Sequence, residues 1–210
     1  MSYGYLGDSS TKIKQVKKND GLISASEAFD LESKGHWGGS LELIQSQTVS
    51  SAVAQVDFTS IKESGYGVHL LTLNNFSTAS STNRLNLRLS NDGGSSFEAG
   101  TNYEYGIQRV GYSVNEEKST GTDRFDYLAT KDGTNVYDAY IYLYNLGNSS
   151  KYSMISHHSP GGIDGSYIFG YFGSGVYDTA ETINALRVFN STGVNFTQGT
   201  ATLFGIKDTT

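Results

Sequence analysis

The chain has 210 residues and a formal net charge of −6, so it is long enough to bury the core of one domain. Its 25 Gly, 15 Tyr and 10 Phe beside one Pro and no Cys favour an all-β protein without disulfides or thiolate zinc sites. The mild acidity argues against nucleic-acid binding, and no apolar run is long enough for membrane insertion. The opening MSYGYLGDSSTKIK lacks an apolar signal core, so we expect no secretion signal and synthesis in a cytoplasm.

Residues 1–39 are predicted to form an arm and a short capped helix that serve as an attachment segment. The arm, residues 1–20, is interpreted either as a solvated tail or as a strand that binds a partner. Serine and glutamate at capping-box spacing predict a helix within residues 22–35, and Trp37 follows it as a candidate contact. The lysines of the arm are further candidate contacts: Lys12, Lys14, Lys17 and Lys18.

Residues 40–210 are predicted to form an antiparallel β-sandwich of jelly-roll type. About ten short apolar runs, separated by Gly, Asn and Ser, favour this fold over the alternative of an antiparallel barrel. Strict alternation in Arg84–Ser90 and the turn residues after it predict that Arg84–Tyr105 is a hairpin with Leu and Phe side chains in the core. Gly106–Thr122 is predicted to be a long polar loop, and Gly173–Gly175 a connection between strands.

The turn of this hairpin, SNDGGSSF, matches the pattern S-x-D-x-G-x-[ST]-[WF] and resembles the Asp box of sialidase-like propellers. In those proteins the box is structural and recurs from blade to blade, whereas it occurs once here. We therefore assign a structural turn to Ser90, Asp92, Gly94 and Phe97. Asp92 is also a candidate calcium ligand, although calcium needs six to eight oxygen ligands.

The strand Tyr140–Tyr144 is predicted to be apolar on both faces. Ile141 and Leu143 point one way, while the other face carries Tyr140, Tyr142 and Tyr144. Tyrosine is enriched at protein interfaces, so a subunit interface is the first interpretation of that face. Coverage by loops of the same chain and a sugar-stacking platform are the alternatives.

No set of residues in the sequence predicts catalysis, and we expect no enzyme, cofactor or metal site. His157 and His158 are adjacent on a strand, so their rings are expected on opposite faces and not on one metal ion. Carboxylates that could hydrolyse glycosides are present by residue type only: Glu116, Glu117, Asp123 and Asp126. Nucleophile-elbow, P-loop and dinucleotide-binding patterns are absent from the sequence.

Several segments resemble small structural proteins of marine bacteriophage virions: GLISASEAFDLESKGHWGG with SLELI, LRLSNDGGSSFEAG, YLYNLGNSSKYS and ATLFGIK. The resemblance runs nearly from end to end and implies a virion component of the tail-fibre, appendage or capsid-decorating kind, made in the host cytoplasm. It implies other virion proteins as partners and a homo-oligomer, with a trimer favoured. A role in host attachment would make a host surface glycan a further partner. A carbohydrate-binding module and, less well supported, a glycan-degrading enzyme are the alternatives.

Overall fold

The chain divides into two units, residues 1–39 and residues 40–210. The computed structural model describes the following parts of them: Ser24, Ser26, and residues 40–80, 82–111, 113–132, 136–160, 163–164, 167–168 and 170–207. Within the first unit, Ser26 is helical and Ser24 is not, and the other residues of the predicted arm and helix lie outside the described residues.

Residues 40–210 form an all-β fold, as predicted. A 3-10 helix, Glu63–Gly65, is the other regular element described there. The strands are β1 Leu41–Val49, β2 Gln55–Phe58, β3 Val68–Thr78, β4 Thr82–Ser90, β5 Tyr103–Val110, β6 Val114–Thr122, β7 Phe125–Asp132, β8 Tyr137–Tyr144, β9 Tyr152–Ser159, β10 Ile163–Asp164, β11 Tyr167–Ile168, β12 Gly170–Ala180, β13 Ala185–Asn190 and β14 Phe196–Ile206.

Two antiparallel sheets pack together as a sandwich. The larger has eight strands in the order β1-β14-β3-β8-β9-β12-β5-β6, and the smaller has four in the order β2-β13-β4-β7. The pair β10-β11 forms a separate two-stranded ribbon. A closed barrel, the alternative from the sequence, is wrong for the described residues because β1 and β6 are open edges. Jelly-roll connectivity stays a prediction.

The core lies between the two sheets, where alternate residues of facing strands meet. Leu85, Leu87 and Leu89 of β4 are fully buried there, as the alternation predicted. Opposite them, the eight-stranded sheet contributes side chains such as Leu71 and Ile141, also fully buried. The remaining face of the eight-stranded sheet points away from this core, and we call it the outer face.

The predicted hairpin over Arg84–Tyr105 is wrong. Its two strands belong to different sheets: β4 pairs with β7 and β13, whereas β5 pairs with β6 and β12. The segment is therefore a crossover between the layers. Tyr103 joins them, since its hydroxyl accepts a hydrogen bond from the Leu89 amide at 3.0 Å and donates one to the Glu98 carbonyl at 3.1 Å. Phe97 is half-buried rather than part of the core.

Two further segments differ from the prediction. Gly106–Thr122 is not a loop, since it holds most of β5 and all of β6, which pair as an edge hairpin. Gly173–Gly175 is not a connection but the middle of β12. A Cβ atom at Gly173 would lie 2.5 Å from the Gly106 oxygen, so glycine permits the close approach of β5 and β12 there. Glycine therefore marks tight strand packing at this point rather than a turn.

Candidate functional site

The predicted contact residues of the first unit lie outside the described residues: Lys12, Lys14, Lys17, Lys18 and Trp37. The structure describes the two other predicted sets, namely the tyrosines of β8 and the turn after β4. The tyrosines lie on the outer face, and the turn lies at the end of the four-stranded sheet. The two sets belong to different sheets.

The tyrosines of β8 form a continuous aromatic strip on the outer face. The rings of Tyr140 and Tyr142 meet edge to face with centroids 6.0 Å apart, and those of Tyr142 and Tyr144 lie 6.5 Å apart. His158 of β9 extends the strip, with its ring 5.4 Å from Tyr140. Tyr140 is 44% exposed, so the strip presents rings together with polar tips to its surroundings.

On the outer face, strand pairing aligns one residue from each of seven adjacent strands in a row. We call the half of this row with large side chains the ridge and the half with small ones the trough. Large side chains occupy the half of the row on β1, β14, β3 and β8, and small ones occupy β9, β12 and β5. The ridge consists of Leu43, Phe204, Leu70 and Tyr142, and the trough consists of Ser156, Ser174 and Gly106. Leu43 is 58% exposed, and Phe204, Leu70 and Tyr142 are half-buried.

Neighbouring rows on either side frame the ridge and the trough. One contains Val68, Tyr144, Met154 and Val176, and the other contains Thr72, Tyr140, His158 and Phe172. The trough opens into grooves of about 520 and 290 Å3, both lined by Gly106 and Lys118. Grooves of this size admit small ligands or side chains from another molecule.

The turn after β4 is held by its own side chains. Asp92 accepts hydrogen bonds from the Ser96 hydroxyl at 2.6 Å, the Ser96 amide at 2.9 Å and the Ser90 hydroxyl at 2.8 Å. These bonds favour the ionised carboxylate and lower the pKa of Asp92 to about 2. The Arg187 guanidinium lies 3.9 Å above the ring of Phe97, and Gly94 adopts a φ of 87°. Both oxygens of the Asp92 carboxylate therefore have hydrogen-bond partners within the turn, so this carboxylate has a structural role.

The two adjacent histidines lie on opposite faces of β9, as predicted. His158 is on the outer face, whereas His157 is 5% exposed and lies between the sheets. Neither ring nitrogen of His157 has a hydrogen bond of good geometry. Burial lowers the pKa of His157 to about 4, and the Leu128 backbone offsets this only in part. Among the described residues, no group of three His, Asp or Glu side chains is placed to hold a metal.

The candidate carboxylates for glycoside hydrolysis lie on β6, on β7 and in the turn between these strands. Glu116 and Glu117 are neighbours on β6, so they point to opposite faces of the sheet. Asp123 is bound by Arg88 and Arg124. Asp126 is nearly buried, with the Arg84 guanidinium 3.6 Å away. Asp123 and Asp126 are thus paired with arginines, and Glu116 and Glu117 do not face each other.

Sequence analysis missed a polar cluster at a bulge in β7. Three residues of β7, 126–128, lie opposite the single residue Asn86 of β4. The Asn86 amide donates to the Asp126 carboxylate, which also accepts from the Tyr127 amide at 2.8 Å. Tyr127 has a φ of 59°, and the Arg84 guanidinium lies 3.9 Å above its ring. The buried Asp126 carboxylate and the buried Asn86 amide thus bind each other, next to the strained backbone of Tyr127.

Comparison with models of protein families gives no match for this chain, and comparison with curated proteins gives none either. Among the described residues, no helix has the length and apolar character needed to cross a membrane.

Proposed function

We propose that this chain is a structural protein of a bacteriophage virion, of the tail-fibre, appendage or capsid-decorating kind, that assembles as a homo-oligomer. The observation that carries the proposal is the outer face, where an aromatic strip and an apolar ridge lie on one side of a complete sandwich. Tyrosine and large apolar side chains are typical of surfaces that another subunit covers. The resemblance of the sequence segments to marine phage proteins supplies the kind of particle.

Purified virions of the phage that encodes the chain test this role directly. We expect mass spectrometry of particles to detect the protein at a constant ratio to other virion proteins through successive gradient purifications. A protein that is made during infection but lost from the particles on purification would contradict the proposal.

The attachment segment gives a second test. Deletion of residues 1–20 should leave a folded sandwich, measured by circular dichroism and thermal unfolding, but should prevent incorporation into particles. The matched control replaces only Lys12, Lys14, Lys17 and Lys18 by Gln, which separates the effect of charge from that of chain length. Normal incorporation of the truncated protein would show that the segment does not attach the chain.

Carbohydrate binding is the second candidate function. The grooves beside the trough favour it, since one of them is lined by Phe172, whose ring is 43% exposed and accessible for stacking on a sugar. A host glycan bound here would combine attachment with a structural role. Glycan-array binding that falls when Tyr140, Tyr142 or Tyr144 is changed singly to Ala would support this function, and unchanged binding would rule out that strip.

A further inference from the structure

The geometry points to a second copy of this chain as the molecule that covers the outer face, in a two-fold dimer whose eight-stranded sheets pack face to face. This inference deepens the proposed assembly role and rests on it for its biological meaning. Sheets that pack in this way keep their strands within about 30° of each other. The two-fold axis would lie in the interface, parallel to the strands and between β8 and β9.

The area of the face is near the lower limit for such a dimer. Seven inter-strand spacings of about 4.8 Å and four residue steps of about 3.4 Å give a patch of roughly 34 by 14 Å. Two copies that meet over this patch would cover a projected area of about 900 Å2, close to the roughly 1,000 Å2 that a specific interface needs. A single saccharide in the grooves would leave most of this patch in water.

The distribution of charge on the face is that of an interface centre with a polar rim. In the ridge row and its two neighbours, the outer-face residues of β14, β3, β8, β9 and β12 include no Asp, Glu, Lys or Arg. Charges begin on β5 and β6, with Glu104, Glu116 and Lys118. Depletion of charge at the centre and polar residues at the rim distinguish protein interfaces from ordinary surface.

The ridge row is also complementary to itself in shape, whereas the two neighbouring rows would place Tyr144 opposite Met154 and Tyr140 opposite His158. Rotation about the proposed axis exchanges β8 with β9, β3 with β12, and β14 with β5. At Ser156 the trough already holds the Tyr144 hydroxyl of the same chain, 3.2 Å from the Ser156 hydroxyl. Elsewhere the ridge of each copy lies over the trough of the other, with Leu70 above Ser174 and Phe204 above Gly106. Each contact occurs twice, which is the property of an isologous interface. Large side chains thus enter positions where the partner has small ones.

Packing among the described residues does not explain the missing side chain at Gly106. A Cβ atom at Gly106 would meet no atom within 4 Å, and its φ is not positive. By contrast, Gly175 of β12 pairs with Tyr105, the residue before Gly106, and a Cβ atom at Gly175 would lie 2.6 Å from the Phe125 ring. Gly175 is required by the fold, whereas Gly106 leaves space that the second copy would fill.

The test uses the full chain and the oligomeric mass in solution. Sedimentation equilibrium should give a dimer for the wild type. Gly106→Leu should weaken it about 100-fold or more, because the added side chain blocks Phe204 of the partner at two symmetric places. Phe204→Ala should weaken it as well, by removal of the ridge. Gly65→Leu is the matched control, since a Cβ atom there also meets no atom within 4 Å and the residue lies off the outer face.

Mixing the two weakened variants gives the decisive result. A heterodimer of the Gly106→Leu and Phe204→Ala variants has two contacts between residues 106 and 204. At one contact the new leucine faces the new alanine, and at the other the native Gly106 faces the native Phe204. We expect the mixture to form dimers where each variant alone does not. A wild-type monomer, a trimer, a dimer that survives Gly106→Leu, or a mixture without dimers would overturn the inference. A monomer that binds glycans through the grooves would do so too.

Failure of this inference and failure of the proposed function are distinguishable. Virions that contain a chain found to be monomeric in solution would refute the dimer and keep the structural role. A dimer with the expected variant pattern that is absent from virions would keep the interface and refute the role.

Discussion

His157 should make the sandwich less stable in mild acid. Burial between the sheets lowers its pKa to about 4 in the folded protein, against about 6.5 in an unfolded chain. Between these two pH values the unfolded state binds a proton that the folded state does not. Stability is therefore complete above about pH 6.5 and falls as the pH decreases toward 4. Burial also lowers the pKa of His69, which adds to the loss in the same direction.

The size of the effect follows from the difference between the two pKa values. One pKa unit corresponds to 1.36 kcal/mol, so His157 alone should cost about 3 kcal/mol of the free energy of unfolding between pH 6.5 and about 4. This is a large part of the stability of an ordinary domain, about 5–15 kcal/mol. Asp92 affects stability only in stronger acid. The stabilisation of the folded state by its carboxylate is lost as the pH falls from the ordinary pKa of an aspartate to about 2, the pKa of Asp92 in the folded protein.

Urea unfolding at a series of pH values measures this loss. His157→Leu should remove most of the slope in the mildly acidic range, since the leucine side chain is close in size and does not titrate. His158→Leu is the matched control, because its ring lies on the outer face and the slope should persist. The reasoning is refuted by a wild-type protein whose unfolding free energy is constant over this range, or by a His157→Leu variant with the wild-type slope.

Three further substitutions test single contacts: one between the layers, one between strands of the eight-stranded sheet and one within the turn after β4. Tyr103→Phe should lower the unfolding free energy by about 1–2 kcal/mol, since the Leu89 amide loses its buried acceptor. Gly173→Ala should cost about 2 kcal/mol, because the new Cβ would lie 2.5 Å from Ile107. Asp92→Ala should lower the urea midpoint near neutral pH and make the midpoint less sensitive to pH below about 4.

Matched controls separate these effects from general damage. Tyr152→Phe removes a hydroxyl from a side chain that is 51% exposed and should leave the urea midpoint unchanged. Gly65→Ala adds a methyl group where nothing lies within 4 Å. Ser95→Ala leaves the Asp92 carboxylate bonds intact, since the Ser95 hydroxyl donates to the Asp92 carbonyl. Equal losses in a control and its test variant would contradict the assigned contact.

The sequence predicted which residues form strands better than it predicted which strands pair. Alternation in Leu85, Leu87 and Leu89 placed them in the core, because period-two patterning reports the face of a strand. The same pattern carries no information about sheet membership, so a crossover between layers was interpreted as a hairpin. The edge strand β6 was missed because both of its faces meet water, and alternation vanishes there.

The candidate site was predictable only in part for a similar reason. The tyrosines of β8 stood out because five adjacent residues, Tyr140–Tyr144, are apolar on both faces. The ridge and the trough were not predictable from the sequence, since their residues come from seven strands spread over most of the chain, from Leu43 to Phe204. Only the register of every intervening pair brings them into one row.

The contrast between the two faces of the eight-stranded sheet bears on what the protein does. The inner face is explained by the fold, since its side chains fill the core and its glycines permit close contact between strands. Contacts among the described residues do not require large apolar side chains at Leu43 and Phe204 or the absence of a side chain at Gly106. Exposed apolar patches of this kind usually mark sites of interaction. This pattern, which packing among the described residues does not explain, is the reason for the proposed dimer.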